Sequence, residues 1–322
     1  MTEKVYLGVD VGGTKTAVLL AARPPEALGR IEFATLPEQG PERALQLIVE
    51  SARSLLAQHG LGVQAVGVSC GSPLDRVKGI IQAPPNLATW LDVPIRSLLE
   101  EAFDAPCQVE NDANAGAVAE HRYGAGVGTD HMVFLTLGTG LGAGIIANGC
   151  LYLGANGDAG EIGHVRLSPT GPVGYHKAGS IEGWSSGGGI AQLAARVLAR
   201  PGRSSRLRGV ENVTAREVGL AAQAGDAVAR SILRRSGERL GQTMAMLIDV
   251  LNPQRIVLGG LAWRMGEPFM APMRRVMERE ALPQTLRACE VVPAALGEKI
   301  GDVAAMCVAM GLEGKGQLLP GK

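Results

Sequence analysis

The stretch that decides the fold is VYLGVDVGGTKTAVLLAA, at residues 5–22. Residues 5–11 and 16–22 are two runs of mainly apolar and β-branched side chains, separated by a short turn that contains two glycines. Two such runs on either side of a glycine turn predict a β-hairpin.

The turn of this hairpin has the residue types of a phosphate site. Gly12 and Gly13 let backbone amides approach an anion closely, and Thr14 and Lys15 add a hydroxyl and a positive charge. Asp10, at the end of the first strand, could hold a hydrated Mg²⁺. An ordinary hairpin turn would also explain the two glycines, so the motif alone leaves both interpretations open.

A second strand, glycine turn and strand occur at residues 131–147, around LGTGLGAG at 137–144. The spacing is neither that of a dinucleotide fingerprint nor that of a Walker A loop. Tight strand packing is one explanation of its glycines. The repetition favours another, in which two phosphate clamps close on one nucleotide, with Thr14 and Thr139 in equivalent positions.

The rest of the chain predicts alternating strands and helices, followed by a mostly helical half that begins at Ile190. A glycine- and proline-rich segment at 70–94 is predicted as a long loop, and such loops are often functional. Thr214 and Glu217 have the spacing of a capping box. Strands are predicted at 30–36, 64–69, 107–110 and 255–258, and helices at 41–60, 94–103, 112–123, 226–250 and 302–310.

The segment ENDANA, at residues 110–115, combines an acid and an amide at a predicted helix start. A lone aspartate there is commonly the N-cap. The chemical alternative makes Asp112 a general base that takes a proton from an attacking hydroxyl, while Asn111 positions the same substrate.

The segment GEIGH, at residues 160–164, is followed by Glu182. Glu161, His164 and Glu182 form a polar set suited to sugar hydroxyls. An alternative to sugar binding is a zinc site of Glu161, His164 and His176. HExxH is absent and no cysteine lies nearby, so we expect no zinc.

Composition indicates a globular protein. Glycine accounts for 45 of 322 residues without a triplet repeat, and 46% of the residues are hydrophobic. The length suggests about two domains, with a boundary near residues 118–130. Lys plus Arg equals Asp plus Glu, at 31 each, which argues against nucleic acid and anionic membranes as partners. Five cysteines without a CxxC pair predict reduced, buried thiols, and the lack of a signal peptide or long apolar run predicts a cytoplasmic location.

Five motifs together resemble the ROK family of bacterial sugar kinases, repressors and uncharacterised reading frames, within the actin, Hsp70 and hexokinase superfamily. Their order and spacing agree over nearly the whole chain. The motifs are VDVGGTK at 9–15, PNLATWLDVP at 85–94, VENDANA at 109–115, LGTGLGAG at 137–144 and GDAGEIGH at 157–164.

The resemblance implies an α/β protein with the two-domain actin-like (ribonuclease H-like) fold and an active site in the interdomain cleft. The domains are expected at 1–120, joined by a C-terminal helix at about 298–322, and at 121–297. The implied activity is ATP- and Mg²⁺-dependent phosphorylation of a hexose, usually at its 6-hydroxyl, by an enzyme that is commonly a dimer. Glucose, N-acetylhexosamines and fructose all remain open as substrates.

The resemblance also assigns roles to particular residues. Asp112 is the expected base. The sugar is expected to contact Gly71, Asn86, Asn111, Asp112, Glu161, His164 and Glu182. ATP is expected near Asp10, Gly12, Gly13, Thr14, Lys15, Gly138, Thr139, Gly140, Gly259 and Gly260, and Asp10 is expected to hold Mg²⁺ directly or through water.

One departure from the family concerns zinc. Zinc-bearing members have a stretch like CxCGxxGCxE before the last glutamate, whereas residues 172–182 are PVGYHKAGSIE, with Val173, Tyr175 and Ser180 as the replacements. These side chains cannot form a thiolate site, so the loop that carries Glu182 must be held by packing.

Two functions other than sugar phosphorylation fit parts of the sequence. A sugar-responsive repressor of the same family would have a helix-turn-helix ahead of the kinase-like body, and a first strand near residue 5 leaves no room for one. An actin-like ATPase or a sugar-binding protein without turnover is disfavoured by intact Asp112, Thr14 and Thr139. The arginine-rich segment 196–208 is interpreted as a solvated helix end and loop, and the glycines at 187–189 remain without a specific role.

Overall fold

The protein is described by a computed structural model that covers residues 3–202 and 204–311. Of these residues, 3–128, 146–157 and 296–311 form one compact unit, and 129–145 and 158–295 form a second. This division assigns residues 121–128 and 146–157 to the first unit, outside the predicted range of 1–120. The predicted C-terminal segment 298–322 is described only as far as residue 311.

The first unit contains a five-stranded sheet in the order β3-β2-β1-β4-β7. β1 and β2 form the antiparallel hairpin that the opening sequence predicts, and β1, β4 and β7 run parallel. The carboxyl ends of these three strands therefore meet at one edge of the sheet. The strands are β1 (Lys4–Val11), β2 (Lys15–Ala21), β3 (Gly29–Ala34), β4 (Gly62–Cys70) and β7 (Cys107–Asn111).

Helices cover this sheet, and between β4 and β7 the chain adds a small ribbon of β5 (Leu74–Asp75) and β6 (Ile80–Ile81) within the predicted loop 70–94. Helix α1 ends where Gly60 adopts a left-handed conformation. The last described helix packs against β1, β4 and α3. The helices are α1 (Pro41–His59), α2 (Ile95–Phe103), α3 (Asp112–Tyr123) and α11 (Ile300–Met310).

The second sheet has the order β10-β9-β8-β13-β14, in which β13 is parallel to both of its neighbours. The sequence did not predict β14. The division into units falls within β9, so that β10 belongs to the first unit. The strands are β8 (Met132–Leu137), β9 (Leu141–Ala147), β10 (Cys150–Leu151), β13 (Arg255–Leu258) and β14 (Glu290–Pro293).

The remaining second-unit elements are mostly helical and bury a core against this sheet. A small ribbon, β11 (Val173–Gly174) and β12 (Lys177–Ala178), precedes them. The helices are α4 (Ile181–Ser185), α5 (Gly187–Leu198), α6 (Ala215–Gln223), α7 (Ala227–Leu251), α8 (Gly260–Met265), α9 (Glu267–Glu280) and α10 (Pro283–Arg287).

Most local predictions are confirmed, including both strand-turn-strand units, the helix at 112–123 and the capping box of Thr214 and Glu217. The prediction of buried thiols holds for Cys70, Cys107 and Cys307, but it is wrong for Cys150 and Cys289, which are only partly buried. Short strands at the edges of the second sheet place these two side chains near its surface.

The arginine-rich segment 196–208 is a helix end and a loop, as predicted, apart from residue 203, which lies outside the described residues. The guanidinium of Arg208 donates hydrogen bonds to the carbonyl oxygens of Leu198 and Arg200, at 3.0 and 2.9 Å. Within the described ranges, no helix combines the length and the apolar character needed to span a membrane.

Candidate active site

In the first unit, the sheet register aligns the site residues of three strands. Val11 pairs with Cys70, and Cys70 pairs with Asn111, so the row of strand ends runs across β1, β4 and β7. Asp10 lies one position before this row, and Gly71 and Asp112 lie one position after it. Residues that are distant in the sequence therefore meet at the carboxyl edge, where α/β proteins commonly bind ligands.

The turn after β1 is held in one conformation by backbone and threonine hydrogen bonds. The amide of Gly12 donates to the carbonyl of Lys15 at 3.0 Å, and the hydroxyl of Thr35 donates to the carbonyl of Gly12 at 2.6 Å. The amide of Thr35 donates to the carbonyl of Thr14 at 3.1 Å. The Lys15 ammonium lies 3.0 Å from Glu32, so its charge is shared with a neighbouring carboxylate.

At position 13 only glycine fits the turn, because Asn86 packs directly against its backbone. A Cβ atom at this position would lie 2.6 Å from the Cβ of Asn86 and 2.7 Å from its carbonyl oxygen. The Asn86 side chain also faces Gly71, because a Cβ there would lie 3.6 Å from Oδ1 of Asn86. The predicted phosphate turn and the predicted sugar loop are thus neighbours within the first unit.

The pKa values of Asp10 and Asp112 are both raised. Desolvation, then the negative charges of Asp112 and Asp302, raise the pKa of Asp10 from 3.8 to about 7, against the opposing effect of Lys15 and Arg30. The pKa of Asp112 is also raised, because the protein atoms around its carboxylate weaken its solvation, although the side chain keeps an exposed surface. Close like charges of this kind favour a proton or a cation between them.

The cap of α3 is Asn111, so the interpretation of Asp112 as the N-cap is wrong. Oδ1 of Asn111 accepts hydrogen bonds from the amides of Ala113 and Asn114, at 2.9 and 3.3 Å. Its Nδ2 donates to the Ser72 hydroxyl at 2.6 Å. The Asp112 carboxylate accepts no hydrogen bond from another side chain within the described residues, which leaves it available to a substrate hydroxyl.

Sequence analysis missed Glu110, which is completely buried beneath this edge. Its carboxylate accepts hydrogen bonds from the Arg76 guanidinium at 3.0 and 2.8 Å and from the amide of Asn111 at 3.0 Å. Asn114 donates to it at 3.1 Å. The signal that could have revealed it is a glutamate in the predicted buried strand CQVE, at residues 107–110, because a buried carboxylate needs a charged or hydrogen-bonding partner.

In the second unit, a second glycine turn is braced by the glycines at 187–189. The amide of Gly138 donates to the carbonyl of Gly140 at 3.1 Å. The amides of Gly187 and Gly188 donate to the carbonyls of Gly138 and Thr139, at 2.8 and 3.1 Å. A Cβ atom on Gly138 would meet no atom within 4 Å, so the outer side of this turn is open.

The segment GEIGH packs directly on β9. A Cβ atom on Gly160 would lie 2.1 Å from the carbonyl oxygen of Ala143, and one on Gly163 would lie 2.1 Å from that of Leu141. Only glycine permits this close approach. Glu161 and His164, between and beside these glycines, are exposed, and the His164 ring lies edge-on to Tyr175 at 6.0 Å.

Glu182 connects the predicted sugar set to the second glycine turn. Its Oε2 accepts a hydrogen bond from the amide of Leu141 at 3.1 Å, and a Cβ atom on Gly140 would lie 2.8 Å from the same oxygen. The structure therefore brings together Gly138, Thr139, Gly140 and Glu182 in the second unit.

Hydrogen bonds hold the loop that carries Glu182. The Ser180 hydroxyl caps α4 by accepting from the amide of Gly183 at 3.1 Å. Gln192 on α5 makes two bonds to Val173, accepting from its amide at 2.9 Å and donating to its carbonyl at 2.7 Å. Val173 and Ser180 thus anchor the loop through backbone and hydroxyl groups.

Gly259 and Gly260 follow β13 in the second unit. The amide of Gly259 donates to the carbonyl of Leu135 at 2.8 Å, and Gly260 begins α8. A Cβ atom on Gly259 would lie 2.9 Å from that carbonyl oxygen, so the strand end packs closely on β8. These positions lie at the end of a parallel strand, as the prediction of a nucleotide contact requires.

Comparison with known proteins agrees with the fold and the motifs. The chain is 34% identical over 311 residues to a glucokinase of Halalkalibacterium halodurans, covering 94% of each chain. It is 32% identical over 275 residues to an N-acetylmannosamine kinase of Escherichia coli, covering 85% of this chain and 88% of the other. A ROK family glucokinase from Streptomyces griseus, solved in complex with glucose and AMPPNP, matches with a TM-score of 0.73 and 31% identity, over 95% of this chain and 99% of that one.

The class of protein is therefore a sugar kinase with the actin-like two-domain α/β fold. The family model described as "ROK family" matches residues 6–311. The chain belongs to the ROK family.

Proposed function

We propose that this sugar kinase transfers the γ-phosphoryl group of ATP to a hydroxyl of a hexose, with the 6-hydroxyl of glucose as the first candidate. The observation that carries the assignment is the position of Asp112 at the carboxyl edge of the first sheet, where its carboxylate does not cap α3 and its charge raises the pKa of Asp10. The sugar kinases among its relatives support the same activity.

The residues present fit a divalent cation and phosphate groups. Asp10 and Asp112 concentrate negative charge, which raises the pKa of Asp10 to about 7 and which a cation would offset. The glycines of the two turns carry no side chain that would obstruct an approaching phosphate. Asp10 would hold Mg²⁺, and the turns around Gly12 to Thr14 and Gly138 to Gly140 would receive the phosphates of ATP. When bound, Mg²⁺ neutralises charge on the transferred phosphoryl group.

Asp112 takes the proton of the attacking sugar hydroxyl on its carboxylate oxygen. Desolvation raises its pKa above that of an ordinary aspartate, which makes the ionised carboxylate a stronger base. Asn111 keeps this carboxylate at the first turn of α3 by capping the helix. The remaining sugar hydroxyls are proposed to bind Gly71, Asn86, Glu161, His164 and Glu182.

The test is an ADP-release assay with ATP and Mg²⁺ across glucose, mannose, fructose, N-acetylglucosamine and N-acetylmannosamine. We expect one of these hexoses to stimulate ADP release strongly over the rate with ATP alone. ADP release that no sugar changes would indicate an ATPase instead, and sugar binding without ADP release would indicate a non-catalytic sugar-responsive regulator.

A second candidate substrate is an N-acetylhexosamine, which the E. coli relative favours. The same assay separates the two, because a pocket that hydrogen-bonds an acetamido group discriminates strongly against sugars that lack it.

We also propose that the protein works as a homodimer in the cytoplasm and that it has no nucleic acid or membrane partner. The balanced charge of the chain supports the absence of these partners.

A further inference from the structure

A cavity of about 470 Å³ lies on the second unit, apart from the residues assigned above to ATP and sugar. Two helices, α7 and α9, supply most of its lining, and α4 supplies a tryptophan. We call it the arginine pocket. Its charged and aromatic lining consists of Arg235, Arg239, Arg275, Arg279, Glu238 and Trp184.

Close packing of α7 and α9 brings the arginines together. A Cβ atom on Gly237 would lie 2.3 Å from the carbonyl oxygen of Phe269, and one on Gly241 would lie 2.4 Å from that of Met273. The two helix backbones therefore touch. On each helix the arginines are four residues apart, so they share one face, and both pairs point toward the same cavity.

Three of the four arginines in the pocket have no carboxylate partner within the described part of the chain. The fourth, Arg279, is paired with Glu280 at 2.7 Å, and the one glutamate of the lining, Glu238, lies 3.2 Å from Arg234 outside it. Arg239 donates to the neutral amide oxygen of Gln242 at 2.8 Å. Among the residues that the structure describes, no carboxylate forms an ion pair with Arg235, Arg239 or Arg275.

Trp184 orders two of these guanidinium groups. The centre of the Arg239 guanidinium lies 5.0 Å from the ring centroid, and that of Arg235 lies 6.0 Å from it. Both are within the range of cation–π attraction. The ring itself is fixed, since its Nε1 donates to the Ser168 hydroxyl at 2.9 Å. The arginines are thus partly preorganised, which lowers the entropy cost of binding an anion.

We propose that the arginine pocket is a second ligand site that binds the phosphate group of a small molecule. Guanidinium groups form paired, charge-assisted hydrogen bonds with phosphate oxygens, and several of them around one cavity match a doubly charged anion. The volume accommodates inorganic phosphate or a small phosphate ester. The site is separate from the phosphate turns of the proposed ATP site.

The pocket is connected to the proposed sugar site through α4. Trp184 follows Glu182 by two positions on this five-residue helix. The hydroxyl of Ser236, on α7, donates to the carbonyl of Trp184 at 2.7 Å. An anion that draws Arg235 and Arg239 away from the ring would shift α4 and with it Glu182. Because Glu182 would leave its position in the proposed sugar site, the bound anion would raise the KM for the sugar. This effect rests on the proposed function.

Binding is tested without turnover, by titrating inorganic phosphate and, separately, glycerol 3-phosphate at constant ionic strength and following tryptophan fluorescence and Tm. The test variant is Arg235→Gln/Arg275→Gln. The matched control is Arg216→Gln/Arg287→Gln, which removes the same charge from exposed positions of α6 and α10 in the same unit. We expect the test variant to bind about tenfold more weakly or worse, and the control to bind like the wild type.

Equal affinity in all three proteins would overturn the anion site, as would a response to ionic strength alone. A response to glycerol 3-phosphate but not to inorganic phosphate would identify an ester as the ligand. Sedimentation of the same proteins tests whether a second copy of the chain, and not an anion, occupies the pocket. If the test variant changes oligomeric state and phosphate has no specific effect, the pocket is an interface with a second copy, and the proposal fails.

Coupling is tested by sugar kinetics with saturating ATP. We expect phosphate to raise the sugar KM with little change in kcat in the wild type and in the control, and to lose this effect in the test variant. A sugar KM that phosphate leaves unchanged in all three proteins would overturn the connection through Glu182. Lack of kinase activity would count against the proposed function, whereas the binding titration would still decide the anion site.

Discussion

At the scale of single residues, the proposed chemistry depends on two aspartates whose pKa values the fold raises. Asp10 lies on β1 and Asp112 is the first residue of α3, directly after β7, so the parallel sheet brings both to its carboxyl edge. Burial and mutual repulsion raise the pKa of Asp10. A raised pKa of this kind is typical of functional sites, where a bound cation or a transferred proton offsets the negative charge.

Asp112→Asn removes the proposed base while keeping the shape of the side chain. We expect kcat to fall by about 10²- to 10⁴-fold, because general-base catalysis contributes a factor of that size. Sugar affinity should change little. The measurement is steady-state kinetics beside a direct sugar titration, with Glu101→Gln, an exposed acid on α2, as the control. Near-normal turnover in Asp112→Asn would exclude the assignment.

Asp10→Asn should make the fold more stable in neutral and basic solution although it impairs activity. The folded pKa of about 7 lies above the ordinary aspartate value of 3.8, so the folded state binds more protons than the unfolded state between these pH values. Stability therefore falls as pH rises from 3.8 to about 7 and is then constant for this group.

Thermal unfolding as a function of pH measures this effect. The Tm of Asp10→Asn should exceed that of the wild type by several degrees at pH 8, and the two values should converge toward pH 4. A difference in Tm that does not depend on pH would contradict the electrostatic explanation.

At the scale of elements, glycines allow segments to touch, and a few polar side chains set their spacing. In the second unit, GEIGH packs on β9 through Gly160 and Gly163, and Gln192 holds the β11 strand beside α5. The loop that carries Glu182 therefore depends on these hydrogen bonds.

Gln192→Ala removes both hydrogen bonds to Val173 and should loosen this loop. We expect the KM for the sugar to rise several-fold with a smaller change in kcat, because Glu182 would be held less firmly in the position that the substrate requires. Gln223→Ala is the control, since Gln223 also donates to a backbone carbonyl of the second unit, that of Arg264, at 2.9 Å. Equal kinetics in the two variants would show that the loop does not need Gln192.

At the scale of the whole molecule, the chain returns to its first unit after completing the second. Helix α11 packs on β1 and β4, and Gly67 permits direct contact, since a Cβ atom there would lie 2.1 Å from the amide nitrogen of Ala309. Gly301, at the start of α11, lies against Asp10, where a Cβ atom would be 2.1 Å from Oδ2. The end of the described chain therefore helps to build the acidic site.

Gly67→Ala should destabilise the protein by about 3 kcal/mol or more, because the new methyl group would meet backbone atoms that cannot move aside. Gly8→Ala is the matched control on the neighbouring strand. Its Cβ would lie 3.2–3.3 Å from side-chain atoms of Leu19 and Ala305, which can adjust. Urea unfolding measures both variants, and an equally small loss of stability in the two would contradict close docking of α11.

Local pattern by itself determined the β1–β2 hairpin, the helix of Asp112, the capping box and the motifs that identify the ROK family. Apolar periodicity and turn glycines act over a few residues and are visible in any chain. From the residues alone the two glycine turns and Asp112 stayed open between a structural and a chemical role, and their proposed roles follow from the resemblance to the family.

Only the tertiary structure decided which group caps α3, what Glu110 pairs with, how Glu182 meets the second glycine turn and what the glycines at 187–189 support. It also brought four arginines of two helices to one cavity. Each of these depends on contacts between segments that are far apart in the sequence. Hydrogen-bond partners and close backbone approaches follow from three-dimensional packing, which no local pattern encodes.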